Sequence, residues 1–262
     1  MTTLASRTIA ALRAEHDELA RVAAALSPAQ LTGSSGASEW TVADVLSHMG
    51  SGAEITLAGF RAALGTAPEP GPDFNQSVWD RWDATAPAEQ AAGFVRTDAE
   101  LVAALEELSP EQQESVTVKM GFLPEPLPIA AFAGMRLSEV AQHSWDVRAG
   151  VDPAAALAAE SATVLAEQYA GNLSFLLGFI AKPDTVREPA VIAIDATPYA
   201  IVIDGQARIS ADAPAPTATF TGPLESAVRL LAGRLTPRYT PAGVDVTGNI
   251  TLDELRRVFP GF

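Results

Sequence analysis

The stretch Arg136-Leu137-Ser138-Glu139-Val140-Ala141-Gln142-His143-Ser144-Trp145-Asp146 is the most informative in the chain. It falls within a helix expected over about 129–149, so Glu139 and His143, spaced i and i+4, share one face. An oxygen and a nitrogen donor at that spacing can chelate one ion. A second stretch, Trp40-Thr41-Val42-Ala43-Asp44-Val45-Leu46-Ser47-His48, supplies a possible third donor. Thr41 reads as the cap of a helix running to about residue 63. Asp44 completes an aspartate variant of the capping box, and Trp40 is placed to staple against Val45. His48 then lies two turns inside that helix. Coming from a facing helix, it would complete a set of two nitrogens and one carboxylate. Such a set suits zinc or another first-row ion and leaves positions open for water or substrate. Plainer readings stand beside this one. Glu and His at this spacing are also an ordinary surface pair, and a lone His on an apolar-flanked helix is commonly a satisfied, partly buried side chain.

Outward from these stretches, the N-terminal part reads as helical. Apolar residues at Leu4, Ile9, Leu12, Leu19, Val22 and Leu26 trace a helical stripe over Thr3 to Leu26. A third helical region is expected from about Phe74 to Leu108, interrupted near Pro87. A fifth helix is expected after Asp152-Pro153, with Asp as cap and Pro in the first turn, reaching toward Ile180. Beyond Pro189 the pattern shortens. Runs at 191–195 and 199–203, the turn Asp204-Gly205 and the run 207–211 read as strands and a hairpin. A further strand at 217–220, a helix over 224–235, a strand at 244–246 and a helix over 252–259 complete the pattern. The expected fold class is therefore two-domain, α followed by α/β: residues 1–184 as a helical metal-binding domain and 185–262 as a small α/β domain.

The formal net charge of -15 excludes the basic footprint that nucleic acid requires. The chain contains no cysteine, which removes disulfides, thiolate metal sites and a cysteine nucleophile together. Any thiol chemistry must use a thiol from outside. No stretch reads as a signal peptide or a membrane span. A soluble, cytoplasmic protein, monomeric by default, is the expectation.

Trp40 to His48 resembles the W-x-x-x-D-x-x-x-H opening of DinB-like metal-binding bundles. Arg136 to Asp146 resembles the E-x-x-x-H-x-W-D signature of the mycothiol-dependent maleylpyruvate isomerase family. Leu230-Leu231-Ala232-Gly233-Arg234 is similar to that family's apolar-Gly-Arg helix end. Val244-Asp245-Val246-Thr247-Gly248 with Leu252 to Phe262 is similar to its closing strand and helix. The resemblance implies a DinB-like bundle of four-helix type joined to a small α/β domain similar to sterol carrier proteins. It implies a divalent ion, zinc above others, on His48, Glu139 and His143, with mycothiol as thiol cosubstrate. It also implies an arginine of the small domain facing the metal, matched by Arg234, with Arg229 the weaker candidate. Read plainly, Arg234 is a cation near a helix C-terminus.

The chemistry implied is isomerisation or thiol S-transfer on a small electrophile. Zinc lowers the pKa of a coordinated thiol. The thiolate adds to a conjugated alkene, the new single bond rotates, and the thiolate leaves. A carboxylate-bearing substrate would be gripped by the Arg234 fork. Two other classes stay open: a small-molecule or lipid-binding protein with a structural metal, and a metal-dependent hydrolase using metal-activated water. Among the remaining residues, His16 between Glu15 and Asp17 reads as solvated helix surface. Arg136 reads as surface charge or as a partner of the ligand set. Trp145 reads as core. Asp146 reads either as the group orienting His143 or as an ion-pair partner of Arg148 or Arg136.

Overall fold

The computed structural model describes residues 2–261; Met1 and Phe262, the ends of two stretches read above, lie outside the described residues. The chain forms two compact units that divide between Asp152 and Pro153.

The first unit is built on α1 (Leu4–Ala25), α3 (Val42–Ala63), α5 (Pro87–Glu106) and α7 (Ile129–Val151), with the short helices α2 (Pro28–Leu31), α4 (Phe74–Asp83) and α6 (Pro110–Ser115) between them. A two-residue pair, β1 (Thr117–Val118) with antiparallel β2 (Leu127–Pro128), precedes α7. The long helices pack α3 on α5, α1 on α7 and on α5, and α3 on α7. Leu12, Leu19, Leu46, Phe94, Leu101, Leu137 and Trp145 are fully buried between them. Burying side chains of this size contributes roughly 1.5–3 kcal/mol each, the main term holding the helices together.

The start of α3 forms as its sequence dictates. The Thr41 hydroxyl accepts from the Asp44 N–H, and the Asp44 carboxylate accepts from the Thr41 N–H at 2.8 Å. Helix α4 docks through Trp82, whose ring lies where a Cβ on Gly50 would come within 2.1 Å and one on Gly93 within 2.8 Å. Both positions must therefore lack a side chain for α4 to seat.

The second unit holds α8 (Ala159–Ala170), α9 (Leu176–Ile180), β3 (Ala190–Ile194), β4 (Ala200–Ile203), β5 (Ala207–Ser210), β6 (Ala218–Thr221), α10 (Leu224–Leu231), β7 (Asp245–Gly248) and α11 (Leu252–Val258). Its sheet runs β5-β4-β3-β6-β7, antiparallel except for the β3–β6 pair. In β3 burial alternates, with Ala190, Ile192 and Ile194 inside, the period-2 pattern of a half-buried strand. Gly205, at φ 89°, makes the expected β4–β5 turn.

Two expectations need correction. The single helix expected from Pro153 to Ile180 is two helices, broken by the turn at Gly171 to Phe175. Asp152 is the C-cap of α7, so Pro153 stops a helix here and does not start one. The change from long helices to strands does fall near residue 185. Compactness nevertheless divides earlier, because α8 packs on α10 and β5, and α9 on β5.

Candidate metal centre

Helices α3 and α7 bring His48, Glu139 and His143 together. One ligand atom from each lies within 4.8 Å of the others. His48 Nε2 is 3.3 Å and His143 Nε2 is 3.6 Å from the same oxygen, Glu139 Oε2. The imidazoles meet edge to face, with centroids 4.9 Å apart. His48 and Glu139 are exposed, while the His143 side chain is only 13% exposed. Partial desolvation by the surrounding protein raises the pKa of the Glu139 carboxyl. The hydrogen bond to His48 and the nearby charges of His143, His48 and Arg136 outweigh that, bringing it down to about 2. The group is an anion at neutral pH, as a ligand to a cation must be.

His143 is oriented from behind. Its Nδ1 lies 2.9 Å from Oδ2 of Asp146, a carboxylate with no solvent exposure. A carboxylate there selects the tautomer carrying its proton on Nδ1 and presents Nε2 as the donor. The contact that the orienting reading of Asp146 requires is therefore present. The Asp146 main-chain oxygen also accepts from the Gly36 N–H at 2.7 Å, which ties the loop ahead of α3 to α7. Trp40, at the end of that loop, is pinned by Ser35, whose N–H and hydroxyl both donate to its carbonyl. Its ring sits 5.1 Å from that of His48 and stacks at 6.1 Å on that of His143.

Two expectations about nearby residues are overturned. His16 is not solvated surface but 4% exposed, with Nδ1 at 2.8 Å from Asp98 Oδ2. Arg136 is not a surface charge but 5% exposed, donating from Nε and Nη2 to Asp98 Oδ1 and from Nη2 to the Met49 carbonyl. Asp98 was not singled out from the sequence. Its signal was available, since it lies between Phe94 and Leu101 on the buried stripe of α5, where a lone carboxylate must be paired.

In the second unit, Arg229 is buried and held by Glu225, at 2.8 Å from Nε, and by the Tyr239 carbonyl, at 2.9 Å from Nη1. Arg234 is half-buried, just past the end of α10, and its Nη1 donates to the Ala232 carbonyl at 3.1 Å.

Among curated proteins none matches this chain. Two solved structures cover the whole of this chain and are covered whole by it, each at 17% identity. They are the mycothiol-dependent maleylpyruvate isomerase, at a TM-score of 0.66, and a mutant of it in which a histidine is replaced by alanine, at 0.65. At that identity the likeness establishes a shared mixed helix and sheet fold. The family model of the mycothiol maleylpyruvate isomerase N-terminal domain matches residues 12–148, more than half of the chain and the whole span from His48 to Asp146. The chain thus belongs to the mycothiol maleylpyruvate isomerase family, whose enzymes are mycothiol-dependent isomerases.

Proposed function

We propose that this protein is a metal-dependent enzyme that uses mycothiol to isomerise, or to transfer the thiol to, a small electrophile such as an unsaturated carboxylate. The observation that carries the metal is the convergence of His48, Glu139 and His143 on one point, backed by the Asp146 contact to His143. The donor set fits a divalent first-row ion, zinc first. It offers two imidazole nitrogens and one ionised carboxylate, with His48 and Glu139 both reachable from solvent. Such an ion, when bound, would acidify a coordinated thiol so that thiolate is present at neutral pH.

The chain's own residues do the rest. His48, from α3, and Glu139 with His143, from α7, would hold the ion. Asp146 holds the His143 tautomer. Trp40 shields one flank of the imidazoles with an apolar face. No cysteine of the chain can compete for the ion or attack the electrophile. Arg234 is the proposed carboxylate grip, because Arg229 is already saturated by Glu225 and Tyr239. The reading includes a DinB-like bundle and a second unit akin to sterol carrier proteins, supported by its five-stranded mixed sheet. It also includes a monomer acting in the cytoplasm; no helix among the described residues is long and apolar enough to cross a membrane.

The test is metal analysis of the purified protein beside His48→Ala and His143→Ala, followed by turnover of activated alkenes with and without mycothiol. The expected result is one ion per chain in the parent, loss in both variants, and turnover only with metal and thiol together. Full occupancy in both variants, or turnover independent of thiol, would overturn the proposal.

A further inference from the structure

Next to His48 the first unit has a cavity of about 340 Å³, lined by Trp40, Asp44, Ser47, His48, Ser51, Trp79 and Asp83. The chain has four tryptophans. Trp82 and Trp145 are buried, and the Trp82 indole N–H donates to Glu54. Trp40 and Trp79 are different: both line this cavity, at 38% and 44% exposure. Among the described residues neither of their indole N–H groups meets a protein acceptor. Two large aromatic faces left open beside a metal centre are costly in water unless something covers them.

The wall carrying Trp79 and Asp83 is held to the bundle by its neighbours. Both lie on α4, which Trp82 anchors against Gly50 and Gly93 and which the Arg81–Glu54 ion pair ties to α3. The lining also contains Ser47, a residue only 6% exposed. Its hydroxyl adds a donor and an acceptor to the polar part of the lining.

The lining excludes two ligand classes. Asp44 and Asp83 supply negative charge and no lining residue is Lys or Arg, so an anionic group is repelled. A purely apolar group would strip water from the carboxylates and the serine without replacing it. What satisfies both the indole faces and the polar groups is a ring with C–H faces and an edge of hydroxyls. The faces cover Trp40 and Trp79, while the hydroxyls donate to Asp83 and Asp44 and bond with Ser47.

We infer that this cavity binds a sugar- or polyol-like group, namely the hydroxylated part of the thiol cosubstrate, and so positions its sulfur at the neighbouring metal centre. This rests on the proposed thiol-dependent function. It also separates the two substrates by charge: the hydroxylated thiol lies over α4, and an anionic electrophile is kept out of that cavity.

Two measurements on the full chain test it. Saturation-transfer NMR with myo-inositol needs no metal or thiol, and succinate is the anionic control. Inositol signal in the parent protein, lost in Trp79→Ala and Asp83→Asn, is expected. Equal signal in parent and variants, no signal in the parent, or succinate binding as well as inositol would overturn the inference. Both side chains are exposed, so these variants should keep the parent's helical circular dichroism. The second measurement is calorimetric titration of the metal-loaded protein with mycothiol and with N-acetylcysteine, a thiol without the polyol. Trp79→Ala should weaken mycothiol by roughly tenfold, the scale of one aromatic contact, and leave N-acetylcysteine unchanged. Equal weakening of both thiols overturns the inference. Binding of inositol but of neither thiol would keep the cavity's ligand class and overturn the thiol reading instead.

Discussion

The helical unit contains two clusters of nearly the same composition, and they behave in opposite ways. One joins His16, Asp98 and Arg136, from α1, α5 and α7, and reaches α3 through the Met49 carbonyl. The other joins His48, Glu139 and His143, from α3 and α7. In the first cluster every side chain is at most 6% exposed, and the carboxylate is consumed by protein donors on both oxygens. In the second, the donors converge on one point and half of the Glu139 side chain is open. The difference teaches that a histidine beside a carboxylate is not informative by itself. What decides its role is whether its partners saturate it. Saturated and buried, the group has no capacity left for a ligand; convergent and exposed, it is free to take one.

Disrupting the first cluster should have the largest effect. Asp98→Asn removes a buried charge that pairs with Arg136 and leaves the guanidinium uncompensated. A loss of about 3–5 kcal/mol is expected in urea-induced unfolding of the helical unit. A loss below about 1 kcal/mol would show that water reaches the cluster and that the two sites differ less than they look.

The pH dependence sharpens the same contrast. Burial pushes the Asp98 pKa up, but Arg136 and His16 more than offset this and hold it below the ordinary carboxylate value. Its stabilisation is thus complete above about pH 3.9, the usual Asp value, and is lost as pH falls toward the folded-state pKa. The parent's stability should fall with pH in that acid range, and Asp98→Asn should show a flatter curve there, measured by urea midpoints at stepped pH. Equal slopes would mean that other carboxylates dominate acid unfolding.

Asp146→Asn should come next. It keeps the shape of the contact to His143 but weakens the tautomer preference. Metal affinity should fall about 10–100-fold, read by competition with a chromophoric chelator, with unfolding shifted far less than by Asp98→Asn. The smallest stability change belongs to Glu139→Gln. The pairs it makes with the histidines are exposed on the carboxylate side, so the unfolding midpoint should move by less than about 1 kcal/mol. Metal binding should nevertheless be lost. A large destabilisation of the metal-free protein would mean that Glu139 holds the bundle together and that the two clusters share one role.

Much of this was legible in the sequence, for definable reasons. The α3 boundary was readable because Thr41 and Asp44 act locally, through contacts three residues apart. The spacing of Glu139 and His143 was readable because a helix has a fixed period. Their meeting with His48 was suggested by motif resemblance; spacing along the chain says nothing about which helices face each other. His16 was misread because its neighbours Glu15 and Asp17 suggest solvent, while its own position between Leu12 and Leu19 puts it on the buried stripe. Arg136 was misread because its partner lies 38 positions away, on α5. The cavity was invisible for a similar reason. Trp79 and Asp83 come from a short, mostly polar helix whose placement depends on Trp82 entering the space left by Gly50 and Gly93.

The saturated state of Asp98 has a consequence for how this architecture can change. The cluster that joins α1, α3, α5 and α7 below the surface needs no ion, so it gives α3 and α7 a connection separate from the side chains at positions 48, 139 and 143. Those positions can drift, or be redesigned toward another chelating set, with little penalty to folding. A scaffold of this kind separates inheritance of shape from inheritance of chemistry, and new reactivity can be tried on it one side chain at a time.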